Sequence, residues 1–414
     1  MRYLKQFNSV YGWILIGFLL FGLKSFAAIL FHPLQMLFAA LGLSLIIFTP
    51  FFFKFKIIIP LRGLVRNAFY FYLVWSFVII LRPIIEGEHY SFFSIHPYSD
   101  FGITTYLLPF VVLLGTGVIS LPKIFKISYI FPIIGFVYFV LNFNNMMDIV
   151  SSGVLNALDD NDDMGINDLM VLYEFWFSIS ALSLLCYEFL SKKQKWVAFL
   201  SNAFMLFLVL YFARRGGVVI YLGYFIAAYY LYLMQCNGGT RFLKVLFILL
   251  VLSTLSLTVF MYSDSTFSLL FSRGVEDTRS GVDESITRYL NSEHAWLLGK
   301  GIEGAYPDSN FEKPRYVHET GYLHMILKGG VVYLSLYVFL LLHSAYLGFF
   351  KTNNRLSKAF AIYLFFHVLF LIPFGVILFG LEYLFVWVGV AICQSDKYRI
   401  MTNQQMKHYL AITQ

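Results

Sequence analysis

The chain has 414 residues, of which 59% are hydrophobic, 20% aromatic and only 13% charged, and its formal net charge is +7. Soluble domains carry roughly 25% charged residues, so these proportions exclude a soluble globular protein. The positive balance does not point to nucleic acid either, because the basic residues are scattered among short intervals instead of forming a patch.

At the N-terminus, Met1-Arg2-Tyr3-Leu4-Lys5 leads into a long apolar run without a small-residue cleavage site. That pattern reads as a first span, not as a removed signal peptide. A membrane span needs ~20 apolar residues, and such runs recur about twelve times. They lie near 8–28, 33–53, 67–85, 103–121, 127–143, 169–190, 196–213, 217–236, 243–262, 330–350, 359–376 and 378–394. The sequence therefore predicts an all-α polytopic membrane protein, a single integral domain over residues 1–414.

Orientation follows from the basic residues, which accumulate on the cytoplasmic side. Alternate intervals, from Arg2 and Lys5 through Lys54, Lys123, Lys192, Arg241 and Lys351 to Lys407, hold nineteen Lys and Arg. The opposite set, the longest loop aside, holds only Lys24, Arg82, Arg214 and Arg215. Both termini are thus expected in the cytoplasm and the number of spans is expected to be even. The acidic run Asp159-Asp160-Asn161-Asp162-Asp163 falls outside. It places Asp159, Asn161 and Asp163 at alternate positions of a calcium loop, but Met164 replaces the required Gly and Met170 the bidentate Glu. It reads as a solvated loop. Cys186, Cys236 and Cys393 fall toward the cytoplasmic side and form neither a disulfide framework nor a zinc pattern.

The long polar interval, residues 263–328 between the ninth and tenth spans, concentrates Arg273, Arg279, Arg288 and Arg315 with His294, His318 and His324. Within it Asp283 to Leu298 reads as a helix, with Asp283 as N-cap, Glu284 and Arg288 at i,i+4, and Gly299 and Gly301 as stops. Ile286, Tyr289, Leu290, Trp296 and Leu297 give that helix an apolar side suited to the membrane surface. A second short helix is expected from Glu319 to Lys328, stopped by Gly329-Gly330 before the next span.

Two guanidiniums in Arg214-Arg215-Gly216-Gly217 stand beside flexible backbone on the side where basic residues are depleted, an arrangement suited to a diphosphate. The alternative is a pair of arginines reaching to lipid headgroups. Arg288 can serve an anion or simply pair with Glu284, and a loop histidine such as His318 can act as a base near neutral pH or merely be solvated. No phosphate-binding loop, zinc-protease motif or nucleophile elbow is present, so chemistry without metal or cofactor is expected.

These segments resemble the O-antigen polymerase and O-antigen ligase superfamily of bacterial surface polysaccharide assembly. Phe212-Ala213-Arg214-Arg215-Gly216-Gly217 is similar to that family's Ser-Arg-Gly segment, with Arg214 in the Ser position. Arg288 followed by Gly299-Lys300-Gly301 resembles its loop Arg and downstream Gly-x-Gly. His318-Glu319-Thr320-Gly321-Tyr322-Leu323, then Gly330, resembles its His-Asn-x-x-Tyr-Leu…Gly segment, with Glu319 where Asn is common.

The resemblance implies a GT-C-like glycosyltransferase fold with one large periplasmic loop, in the bacterial inner membrane. It implies undecaprenyl-diphosphate-linked oligosaccharides as substrates, membrane lipid as surroundings and a chain-length regulator as protein partner. On that reading Arg215, Arg288 and His318 are catalytic; Arg214, Arg82, Arg273, Glu319 and Tyr322 bind substrate, and either His318 or Glu319 is the base. The expected reaction is polymerisation of lipid-linked repeat units. One competitor is the ligase activity that moves finished polysaccharide onto lipid A-core. The other is a flippase or transporter, disfavoured because Glu174, Arg82 and Glu382, the ionisable residues of the spans, sit toward their outer ends.

Overall fold

The computed structural model describes residues 10–52, 60–87, 89–91, 102–114, 129–143, 166–211, 215–234, 280–307, 314–372 and 377–412. These residues are mostly helical, and among them the only β pairing is an isolated antiparallel bridge between Tyr306 and Arg315. The helices are α1 (Val10–Leu30), α2 (His32–Phe52), α3 (Gly63–Glu86), α4 (Ile103–Leu107), α5 (Ile130–Leu141), α6 (Ile166–Leu185) and α7 (Lys192–Tyr211). They continue with α8 (Arg215–Leu233), α9 (Ser280–Ser292), α10 (Gly321–Phe350), α11 (Arg355–Phe370), α12 (Leu381–Gln394), α13 (Asp396–Ile400) and α14 (Asn403–Ile412).

Among the described residues three helices are long and apolar enough to cross a membrane: Gly63–Ile85 of α3, Gly216–Leu233 of α8 and Gly321–Phe350 of α10. Their burial differs in an informative way, with 56% of the apolar window of α10 inside the protein against 22% for α8. α10 is therefore an inner helix and α8 presents most of its apolar surface outward. α12 is enclosed from Leu381 to Gln394 except at Glu382. At ~1.5 Å per residue it is about 21 Å long, shorter than a bilayer core of ~30 Å. The spans predicted near 8–28, 33–53, 169–190 and 196–213 correspond to α1 and α2, of 21 residues each, and α6 and α7, of 20 each, and the one expected at 243–262 lies outside the described residues.

The helix directions sort charge between two ends of the bundle. At one end Arg62 meets Asp396 at 2.8 Å, Lys407 meets Glu188 at 2.7 Å, and Arg355 also pairs with Glu188. Asn354 caps α11 by accepting from Ser357 N and donates to the carbonyls of Tyr398 and Met401, tying the C-terminal helices to this basic end. Cys186 and Cys393 are buried and free. The opposite end carries α9 and residues 295–307 and 314–320.

Two sequence expectations are corrected here. The loop helix runs from Ser280 to Ser292, not from Asp283 to Leu298. It stops because His294 takes a left-handed conformation at φ 50 and Ala295 N turns back to donate to Leu290 O at 3.0 Å. Asp283 therefore sits inside the first turn, and its carboxylate accepts from Thr320 Oγ1 at 3.1 Å instead of capping the helix. Nor does the apolar face of α9 lie free for a membrane surface. Ile286 and Leu290 are buried against Leu323, Ile326 and Leu327 of α10, and each is stabilised by about 1.5–3 kcal/mol through removal from water.

The break expected at the paired glycines is present, and it divides α10 into two helical parts. α10 is interrupted at Gly330, whose φ 71 and ψ −179 lie in a region open essentially to glycine alone. The freed backbone groups are answered by the segment after α9. Val331 N donates to Trp296 O at 2.8 Å, Lys300 N to Leu327 O at 2.7 Å and Gly301 N to Lys328 O at 2.9 Å. Trp75 Nε1 of α3 donates to Gly329 O at 2.8 Å, and Ile302 N to Ile79 O at 3.0 Å. A broken helix in an apolar bundle is tolerated only when neighbouring protein satisfies it in this way.

Candidate active site

At the loop-bearing end, α6, α8, α10, α11 and α12 surround a cavity of about 260 Å³. Its wall includes Glu174 of α6, Gly217 and Tyr221 of α8, Val317 and Glu319 ahead of α10, Tyr337 of α10, His367 of α11, and Phe379, Glu382 and Tyr383 around the start of α12. Aromatic faces combined with a few carboxylates suit a saccharide, which offers apolar C–H surface and hydroxyl groups together.

Two of the segments singled out from sequence meet at this cavity although they are about a hundred residues apart. Gly217 closes the Arg-Arg-Gly-Gly segment, and Val317 and Glu319 flank His318. Arg215 opens α8, one turn or less from the cavity wall, with its side chain outside the described part. Arg214 and Arg273 also lie outside the described residues, as do Arg279 and the acidic run at 159–163.

His318 itself faces away from the cavity. Val317 and Glu319 line the cavity, whereas His318 between them does not and is 1% exposed. Its Nδ1 accepts from Thr320 N at 3.0 Å, its backbone N donates to His324 Nδ1 at 3.3 Å, and its ring packs on Tyr306. Nε2 lies 3.2 Å from Asp283 Oδ1 but without hydrogen-bond alignment, so we treat the contact as electrostatic. Burial holds the imidazole below its ordinary value of 6.5, with Asp283 opposing and Arg315 reinforcing that shift.

The sign of this shift sets a pH dependence. The unfolded chain binds the proton more readily than the native one, so stability is complete above pH 6.5 and falls as the pH drops through that value. Unfolding of wild type and His318→Gln from pH 8 to ~5 checks it: the variant should lose less stability on acidification, and parallel profiles would refute the expectation.

The remaining sequence candidates occupy other places. Arg288 is on the exposed face of α9, paired with Glu284 at 2.8 Å, and does not line the cavity. Arg82 binds Glu86 at 2.6 Å and donates to the carbonyls of Leu298 and Gly299, clamping the segment that fills the break in α10. Tyr322 is half-buried between the main core and the α9 cluster, with its N donating to Leu371 O at 3.2 Å. Sequence reasoning did not single out His367 as a site residue, nor Tyr221, Tyr337 and Tyr383. Each stands in or beside an apolar run, and nothing in its spacing marks it.

Among the described residues no cluster of three or more His, Cys, Asp or Glu side chains has the geometry to hold a metal ion. In comparisons with known proteins, no family model, no curated protein and no solved structure matches the chain.

Proposed function

We propose that this protein is a membrane-embedded glycosyltransferase that polymerises lipid-linked saccharide units, working from the loop-bearing end. On this reading the chain crosses the inner membrane about twelve times in a GT-C-like arrangement. The basic end and both termini face the cytoplasm, and the cavity faces the periplasm. The donor is a glycan on undecaprenyl diphosphate, the acceptor is another lipid-linked repeat unit, and a chain-length regulator is the expected protein partner.

The observation that carries this reading is that Gly217, the last residue of the Arg-Arg-Gly-Gly segment, and Val317 and Glu319, either side of His318, line one cavity with aromatic and carboxylate side chains. Glycosyl transfer from a diphosphate builds negative charge on the leaving group, and guanidiniums placed beforehand beside it lower the barrier. Arg215 and Arg214, which precede the cavity-lining Gly217 in the chain, are assigned to that charge, and Glu319 on the cavity wall is assigned to saccharide hydroxyls. His318, held with Asp283 and Thr320, anchors the segment that carries Glu319. Arg288, exposed on α9 and away from the cavity, is given no part in this step.

Purified protein supplied with lipid-linked repeat units should extend them into a ladder of products. Arg215→Ala should lower kcat by ~100-fold or more, the usual scale for a lost electrostatic donor, while the protein keeps its elution profile and unfolding temperature. Undiminished elongation by Arg215→Ala would remove this assignment. The ligase alternative separates in cells: loss of a polymerase leaves single repeat units on the surface lipid, and loss of a ligase leaves none.

A further inference from the structure

The floor of the cavity carries a pair that neither sequence motif supplies. His367 stands in the last turn of α11 and Glu382 in the first turn of α12, with His367 Nε2 3.4 Å from Glu382 Oε1, a close contact without hydrogen-bond alignment. Two further contacts fix the pair. The His367 ring meets Tyr363 edge-on at 4.5 Å, and Tyr363 Oη donates to the Glu382 backbone carbonyl at 3.1 Å. The two members differ in access. His367 Nε2 is sealed from solvent, whereas 46% of the Glu382 side chain is open, on the wall of the cavity.

We infer that Glu382 is the proton acceptor for the incoming saccharide hydroxyl, and that His367 positions its carboxylate. This rests on the glycosyltransferase reading and assigns a step which that reading leaves without a group. His318 is turned away from the cavity, and Glu319 is an exposed rim residue. Glu382 instead sits on the first turn of a rigid, enclosed helix, which gives a base the fixed geometry that proton transfer needs.

In the step, the acceptor oxygen bonds to the anomeric carbon of the donor as its proton passes to a Glu382 oxygen. The bond from that carbon to the diphosphate oxygen breaks, and its electron pair leaves with the diphosphate. Glu382 then returns the proton to water through the cavity mouth. The titratable groups sharing its surroundings are Glu174 from α6, Tyr221 and Tyr224 from α8, Tyr337 from α10, His367 and Tyr363 from α11 and Tyr383 from α12, with Glu319 also on the cavity wall.

The test uses the full-length protein in detergent and lipid-linked repeat units extracted from cells in which the gene is deleted. E382Q should lower kcat by ~100-fold or more, the scale of a lost general base, with KM within about threefold of wild type. H367A should lower kcat by about tenfold, and H367Q, whose amide can stand where Nε2 stands, should recover most of it. Elongation by a folded E382Q at the wild-type rate overturns the inference while leaving the polymerase reading intact. H367Q no better than H367A overturns the positioning role. Should E382Q fail to fold, E382D keeps the charge but withdraws it by one methylene: a loss of about tenfold in kcat supports the assignment and an unchanged rate overturns it. A wild-type protein that extends nothing overturns the polymerase reading, and this inference with it.

Discussion

Replacing Gly330 with alanine is expected to remove most of the folded protein. The residue holds φ 71 and ψ −179, and an alanine forced there costs about 1–3 kcal/mol in backbone strain alone. The added Cβ would also overlap the carbonyl of Leu297, which belongs to the segment repairing the break in α10. Relief requires that segment to withdraw, which gives up the bonds from Val331 N to Trp296 O and from Lys300 N to Leu327 O. Together these terms approach the ~5–15 kcal/mol by which a typical domain is stable. Gly281→Ala provides the contrast, because a Cβ at that position in α9 meets nothing within 4 Å. Monodisperse yield and unfolding temperature in detergent should collapse for Gly330→Ala and hold for Gly281→Ala. Equal behaviour of the two would show that the break does not depend on glycine.

Lys328→Met is expected to loosen the same junction from the opposite side. Lys328 is 5% exposed, and its Nζ donates to Ile302 O at 2.7 Å and Gly304 O at 2.8 Å. Methionine matches the length of the side chain but leaves two buried carbonyls without their donor, each costing about 1–3 kcal/mol. Part of that cost is offset because burying the polar Nζ is itself unfavourable, so a net loss of about 2–4 kcal/mol is expected. Amide exchange should speed up locally over 299–304, while exchange in α11 and α12 should stay at wild-type rates. Unchanged protection in that segment would mean the Nζ contacts carry no weight.

The junction also shows how far sequence reading reached and where it stopped. Gly329-Gly330 after a polar segment announced a stop in the helix, and the chain does break there. The sequence could not show that the segment from Trp296 to Gly304 would fill the break, because that partnership joins backbone groups about thirty residues apart. Gly299 has the same character. Its positive φ is legible as a helix-stopping glycine, but its close approach to Gly329 N and Gly330 N is a property of the packed pair. Arg82 stood out as a misplaced charge suited to an anion, yet in the structure its guanidinium is taken up by Glu86 and two loop carbonyls.

The site divides along similar lines. The Arg-Arg-Gly-Gly segment and the His318-Glu319 segment were legible because unusual residue types sit together where apolar sequence gives way. His367 and Glu382 carry no such signal, being single polar residues near the ends of ordinary apolar runs. The difference between Glu319 and His318 was equally invisible: the two are adjacent in the chain, and only the packed structure shows Glu319 on the cavity wall and His318 buried.

By itself the sequence determined that this is a helical chain suited to a membrane, with its charge sorted between two ends and its polar chemistry gathered at one of them. Those properties follow from composition and from the spacing of apolar runs, which act residue by residue. Only the tertiary structure decided that α12 is enclosed, that a broken α10 is held by a returning loop, and that Glu382 lies beside His367 on a cavity wall. Those depend on contacts between distant residues, whose side-chain directions are set by how the helices pack.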